Sequence, residues 1–244
     1  MRRIMLRVAY DGTNYHGWQV QPGAATIEGE LNKAISALTG EAIQVIGASR
    51  TDAGVHALGN VAVFDTQSRI PAEKFSCALN QRLPEDIAVQ QSEEVASDFH
   101  PRHCDCYKTY EYTILNRRFP LPEYRNTAYF YYGKLDMKAM QSGAEAFVGE
   151  HDFVGFCSAG TQVQSTVRQI YSLTVEQQGE LIRLRVRGNG FLYNMVRIIA
   201  GTLLEVGRGR ILPEELPDII ASGDRKRAGA TAPARGLKLV EIVF

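Results

Sequence analysis

Apolar positions along the chain recur in two rhythms, one of period two and one near 3.6, and their order lays out the elements. A run from Ile4 to Tyr10 reads as a strand. From Thr26 to Leu38, the residues Ile27, Leu31, Ala34, Ile35 and Leu38 return at helical spacing, with Thr26 placed to cap the N-terminus. β-rich runs follow at Ile43 to Ile46 and at Val61 to Phe64. A second helix starts near Pro71, carries Phe75, Ala78 and Leu79 and stops before Pro84, and a strand at Ile87 to Gln91 closes the set.

The same order then returns. A strand is expected at Tyr107 to Leu115, a helix at Asp136 to Val148, and strands at Gln169 to Glu176 and Leu181 to Arg187. A helix at Leu192 to Val206 and a last strand at Leu237 to Phe244 complete it, with an extra strand at AYFYYG and a short helix around Glu214 to Ala221 as additions. Each half spells β-α-β-β-α-β, the split-βαβ order of ferredoxin-like units. The expectation is an α+β protein whose two halves, residues 1–100 and 101–244, share an extended, mainly antiparallel sheet with helices on one face. An RNA-binding cleft between the halves would have that sheet as its floor. The halves show no convincing sequence identity, so a generic α+β protein is the alternative.

Composition narrows the class. Of 244 residues 45% are hydrophobic and 22% charged, as in a folded globular chain. The start, MRRIMLRVAYDG, lacks the sustained apolar stretch of a signal peptide, and no apolar run reaches the roughly 18 residues of a membrane helix. Cys77, Cys104, Cys106 and Cys157 make no disulfide framework, so a reduced, cytoplasmic protein without a membrane partner is expected. Net charge is zero, which by itself does not recommend a nucleic-acid partner. The distribution changes that picture: residues 1–100 hold 8 Lys/Arg against 12 Asp/Glu, and residues 101–244 hold 19 against 15.

Candidate chemistry begins at ASRTDAGVHA, residues 48–57, on a loop between two expected strands. Arg50 can bond a carboxylate or a phosphate, and a cation that close favours ionised Asp52. A structural Arg-Asp tie and a reactive carboxylate both fit the spacing. His56 reads either as a packing or backbone-bonding histidine or as a proton shuttle. In YKTYEYTIL, residues 107–115, Lys108, Tyr110 and Tyr112 fall on one strand face. They could stack a base and neutralise its phosphate, or be half-buried in a sheet.

Arg197 lies among the apolar residues of GNGFLYNMVRII, where a charge needs a carboxylate or phosphate partner unless it snorkels; Asp52 is one candidate. Arg183, Arg185 and Arg187 alternate along one strand as a cationic stripe, and GRGR (207–210) and DRKR (224–227) add positive charge. HPRHCDC, residues 100–106, gathers two histidines and two thiols, but they crowd into one segment with no second pair, so no metal is expected. No GxGxxG, P-loop or GxSxG occurs, which removes the main nucleotide-cofactor and serine-hydrolase readings.

Taken in order, VAYDGTNYHGWQVQP, RTDAGVHA, ALNQRLPEDIAV, FHPRHCDCYKTYEY, HDFVGF, VRQIYSLTV, GNGFLYNMVRIIAGTLLEVG and TAPARGLKL resemble the bacterial tRNA pseudouridine synthases of the TruA type along the whole chain. The resemblance implies isomerisation of uridine to pseudouridine in the anticodon stem-loop of tRNA, at the nucleotides conventionally numbered 38, 39 and 40. It implies no cofactor, and a homodimer that binds the anticodon arm across both subunits. By the same resemblance Asp52 is the nucleophile, Tyr110 contacts the target base and Arg197 pairs with Asp52. One departure stands out: the family commonly has glycine before RTD, and here Ser49 takes that place, which puts the loop geometry in question.

Overall fold

The computed structural model describes residues 1–160 and 163–244, and its contacts divide them into two compact units: Met1–Cys106 with Leu239–Phe244, and Tyr107–Lys238. In the first unit the order is β1 (Arg2–Tyr10), α1 (Ile27–Thr39), β2 (Ile46–Gly47), β3 (His56–Thr66), α2 (Phe75–Asn80) and β4 (Ile87–Val95). The strands lie in the order β4-β1-β3, with β2 beside β3, and all these pairings are antiparallel. That is the ferredoxin-like arrangement. Alternation along β1 buries Ile4, Leu6, Val8 and Tyr10, and the buried faces of α1 (Ile27, Leu31, Ala34, Ile35) and α2 (Phe75, Leu79) complete the core. Phe64 of β3 meets Phe75 of α2 edge-on, with ring centroids 5.4 Å apart.

Local chemistry sets the helix ends. Thr26 Oγ accepts from the Gly29 amide at the start of α1, and Gly40 ends it in the left-handed conformation at φ 75°. The strand expected at Ile43 to Ile46 shrinks to Ile46–Gly47 for a visible reason. The amides of Ile43 and Val45 donate to Ser36 Oγ (3.0 Å) and Asn32 Oδ1 (2.9 Å) of α1, so the helix takes the bonds a strand ladder would need.

The second unit holds β5 (Tyr107–Asn116), β6 (Tyr129–Tyr131), α3 (Met137–Glu145), β7 (Gly149–Asp152), β8 (Val167–Gln178), β9 (Leu181–Gly188), α4 (Met195–Gly207) and α5 (Leu216–Ser222). Its strands run β5-β9-β8-β7, antiparallel throughout, and β6 lies parallel to β5. The last strand, β10 (Leu237–Val243), begins in this unit, where Lys238 Nζ reaches Glu111 Oε1 of β5 at 2.8 Å. β-α-β-β-α-β is the order here too, with β6, β7 and α5 added. Tyr112 and Ile114 of β5 and Ile182, Leu184 and Val186 of β9 are buried, and so is most of α4.

α4 is packed at backbone distance. A Cβ at Gly201 would fall 1.8 Å from the Ala230 carbonyl oxygen, and one at Gly229 would fall 2.5 Å from the Gly201 carbonyl carbon. The α+β class with mainly antiparallel strands is therefore the observed one. Among the described residues, no helix is long and apolar enough to cross a membrane.

Candidate active site

Asp52 stands half-buried in the loop between β2 and β3, and the residues around it are pinned. Thr51 is held twice: its carbonyl accepts from the Trp18 amide at 3.0 Å, and its Oγ1 bonds the Tyr10 hydroxyl at 2.7 Å. The fully buried Asn60 of β3 donates from one amide nitrogen to the Tyr10 hydroxyl (3.2 Å) and to the Ser49 carbonyl (3.0 Å). Its Oδ1 accepts from the Val61 amide at 2.9 Å. Beyond Asp52, the Gly54 amide donates to Tyr15 O at 3.3 Å and the Val55 amide to Asp52 O at 3.1 Å, with Gly54 at φ 76° closing the turn. Thr51, Tyr10 and Asn60 are thus joined in one hydrogen-bonded network, which restrains the backbone that carries the carboxylate.

The segment from Tyr10 to Trp18 supplies most of those bonds and also sets how closely the loop is approached. Gly17 has φ 89°, and a Cβ there would lie 2.6 Å from Thr51 O and 3.1 Å from the Asp52 carbonyl carbon. The Trp18 indole lies against Gly47, where a Cβ would come within 2.4 Å. Sequence reasoning gave DGTNYHGW no chemical role. The available signal was its two glycines and the Asp11-Gly12 turn pair beside a tryptophan. Ser49 is buried and is not in the left-handed region, since Asn194 is the one non-glycine residue there among those described. Serine therefore meets no backbone demand that only glycine could satisfy.

His56 is also buried, at the start of β3. Its Nδ1 accepts from the Gly12 amide at 3.1 Å and lies 3.0 Å from Asp11 Oδ1. One nitrogen cannot accept from Gly12 and donate to Asp11 at once, so which of the two bonds forms depends on whether Nδ1 carries the ring hydrogen. Burial pushes the Asp11 carboxyl up, but bonds from the Thr13 hydroxyl and amide together with His56 outweigh it, and the net shift is downward.

Positive charge gathers near this loop within the first unit. Arg50 is exposed, and Arg102 Nε donates to Gly47 O at 2.7 Å. Burial holds the Arg102 guanidinium below its ordinary value, and repulsion from Arg50 adds to this. Arg102 comes from HPRHCDC, where the sequence drew attention to histidines and thiols instead. His100 and His103 stack with centroids 4.0 Å apart, and burial lowers His100, helped by His103 and Arg102.

In the second unit Tyr110 is buried on β5 and meets Phe191 edge-on at 5.2 Å. Lys108, two residues before it, is half-buried. Tyr112 is a different case from its neighbour: it is fully buried, its hydroxyl donates to Pro233 O at 2.9 Å, and burial drives its pKa far up, against the opposing effect of Arg197. Arg197 projects from the first turn of α4. Its Nε donates to Ala232 O (2.7 Å), its Nη1 to Asn194 Oδ1 (2.7 Å), and its carbonyl accepts from the Ala232 amide (3.1 Å). The segment TAPARGL thus clamps this arginine through both side chain and backbone.

The basic stretches differ in how their charge is used. Arg187 lies over the Tyr107 ring, 3.4 Å from its centroid, while Arg183 bonds Gln178 (2.8 Å) and approaches Glu111 (3.7 Å). Arg208 and Arg210 share Glu205 at 2.6 and 3.2 Å. Arg225 closes its own loop onto Gly229 O (2.9 Å) and Thr231 Oγ1 (3.2 Å). Arg187 is an exposed cation set on an aromatic ring, the combination that can meet a nucleic-acid backbone.

Comparison with known proteins gives this arrangement its class. The tRNA pseudouridine synthase family model matches residues 7–103 and 144–244. Similar proteins include tRNA pseudouridine synthase A of Acetivibrio thermocellus, 50% identical over 244 residues, and that of Ruminiclostridium cellulolyticum, 51% identical over 245 residues. A third, from a Thermoanaerobacter species, is 49% identical over 244 residues, and in all three the match covers the whole of both chains. The class is that of isomerases that form pseudouridine in RNA. Within it, the chain belongs to the tRNA pseudouridine synthase family, in its bacterial TruA branch.

Proposed function

We propose that this protein converts uridine to pseudouridine at positions 38, 39 and 40 of the tRNA anticodon stem-loop, with Asp52 as the nucleophile. The observation that carries the reading is the fixed backbone around Asp52, held through Thr51 and Ser49 on one side and Gly54 and Val55 on the other. The rearrangement breaks the N1–C1′ bond, turns the detached uracil and joins C5 to C1′; the C5 proton leaves and N1 gains one. It is redox-neutral and needs no second substrate. An ionised carboxylate beside the sugar suits either attack on C1′ or removal of the C2′ proton on a route through a glycal.

In this reading Arg197 is the cationic partner of Asp52, and Tyr110 packs against the flipped uracil, which offsets part of the cost of unstacking it. Arg50 and Lys108 bind phosphate, and His56 supports the substrate-binding loop from within. The protein acts as a cytoplasmic homodimer on the tRNA anticodon arm. The test is pseudouridine mapping by chemical modification in tRNA incubated with the wild type and with Asp52→Asn. The variant is expected to bind tRNA as tightly as the wild type and to lose at least about a thousandfold in rate. Full activity in Asp52→Asn would remove Asp52 from the nucleophile role, and modification elsewhere than 38 to 40 would overturn the proposed targets.

A further inference from the structure

Asn194 occupies the cap position of α4 without capping it. Its backbone is left-handed, at φ 61° and ψ 5°, and its side chain makes no bond to the first-turn amides, which is the usual reason for asparagine at this place. Asparagine is one of the few non-glycine residues that adopt this conformation, through local bonds of its side chain. The amide group points along the helix instead. Its Oδ1 accepts from Arg197 Nη1 at 2.7 Å, and its Nδ2 donates to Ser158 Oγ at 2.9 Å. Arg197 is three residues on, hence on the same helix face.

We infer that Asn194 is a positioning residue that fixes the plane of the Arg197 guanidinium; this rests on the reading that Arg197 serves Asp52. Two acceptors on different nitrogens, Asn194 Oδ1 on Nη1 and Ala232 O on Nε, determine where a planar group can lie, whereas one acceptor would leave it free to swing. Ser158 completes the device by holding the amide from its other end, so that Oδ1 faces the arginine. The left-handed backbone is what brings an amide at the cap position onto the arginine rather than onto the helix start.

The test uses full-length protein and an anticodon stem-loop RNA with a uridine at position 39. Asn194→Gly keeps the left-handed backbone at no steric cost and removes only the amide. It is expected to lower kcat by 10- to 100-fold, since small displacements at a reacting centre have effects of that size, with KM and Tm essentially unchanged. Asn194→Asp, which also tolerates this conformation, restores an acceptor for Arg197 but adds a negative charge. Its rate should recover from that of Asn194→Gly towards that of the wild type, because the acceptor that fixes the guanidinium is present again. A wild type that forms no pseudouridine would sink the functional reading itself. With the wild type active, Asn194→Gly within twofold of its kcat, or a loss of kcat that tracks a loss of Tm, or Asn194→Asp no faster than Asn194→Gly at any pH, would each overturn the positioning role.

Discussion

The Tyr10 hydroxyl joins Asn60 of β3 to Thr51, the neighbour of Asp52, and its removal separates the two. Tyr10→Phe leaves a buried Asn60 amide hydrogen and the Thr51 hydroxyl one bond short, at a cost of about 1–3 kcal/mol. Thermal unfolding should register that loss. Turnover should fall by more than tRNA affinity, because the loosened loop carries Asp52 and only one of the proposed phosphate-binding residues, Arg50; unchanged turnover would show that the network is not what fixes the carboxylate. Gly17→Ala attacks the same loop from outside, since the new Cβ would lie 2.6 Å from Thr51 O at a φ of 89°. It is expected to be the more damaging of the two in activity. At Arg197 the planar fork matters more than the charge, because Nε and Nη1 are committed to different acceptors. Arg197→Lys should therefore lower the single-turnover rate at least tenfold, and a rate equal to that of the wild type would favour an arginine that merely extends to solvent.

Among the elements, β1 and β3 are tied by a cross-strand pair in which Arg3 Nε meets Asp65 Oδ1 at 2.8 Å and Nη2 meets Oδ2 at 2.6 Å. The bond from Arg3 pulls the Asp65 carboxyl below its ordinary value, against the effect of burial. A depressed folded-state pKa contributes stability that is present above the unfolded pKa and lost as pH falls through the folded one. Asp65→Asn should thus cost roughly 0.5–1 kcal/mol at pH 7, modest because the pair is partly exposed, and less at a pH below the ordinary carboxylate range. Urea unfolding at the two pH values checks it, and a difference that persists at low pH would assign the effect to packing. Most elements were legible because alternation and helical spacing recur over seven or more residues, as in β1 and α1. The bounds of short β2 were not: Ile43 to Val45 are apolar enough for a strand, but the side chains that take the amides of Ile43 and Val45 lie on α1. α4 begins at Met195 rather than at the expected Leu192 because Asn194 is left-handed, and no period reports a dihedral angle. Asp52, Tyr110 and Arg197 stood out by residue type and resemblance. The supports from Tyr10, Gly17 and Asn60 did not, since hydrogen bonds and close approaches between distant segments leave no local pattern.

Over the whole molecule, zero net charge conceals a division between arginines that hold the fold and arginines that can meet phosphate. DRKR looked cationic in sequence, yet Arg225 spends its guanidinium on the loop from Ala228 to Thr231, the same segment that leads to the Ala232 clamp on Arg197. Arg187 is exposed and spends its charge on no carboxylate in the contacts described, lying over Tyr107 instead. The two should separate in a salt titration of tRNA binding, where each phosphate neutralised adds about 0.7–0.9 to the slope of log K against log salt. Arg187→Ala is expected to weaken binding several-fold and flatten that slope by about 1. Arg225→Ala is expected to leave the slope unchanged while lowering Tm and slowing turnover, because the loop it closes leads into the Ala232 clamp on Arg197. Equal slopes for Arg187→Ala and the wild type would show that this strand face does not track the RNA, and a slope lost in Arg225→Ala would place that loop on it instead.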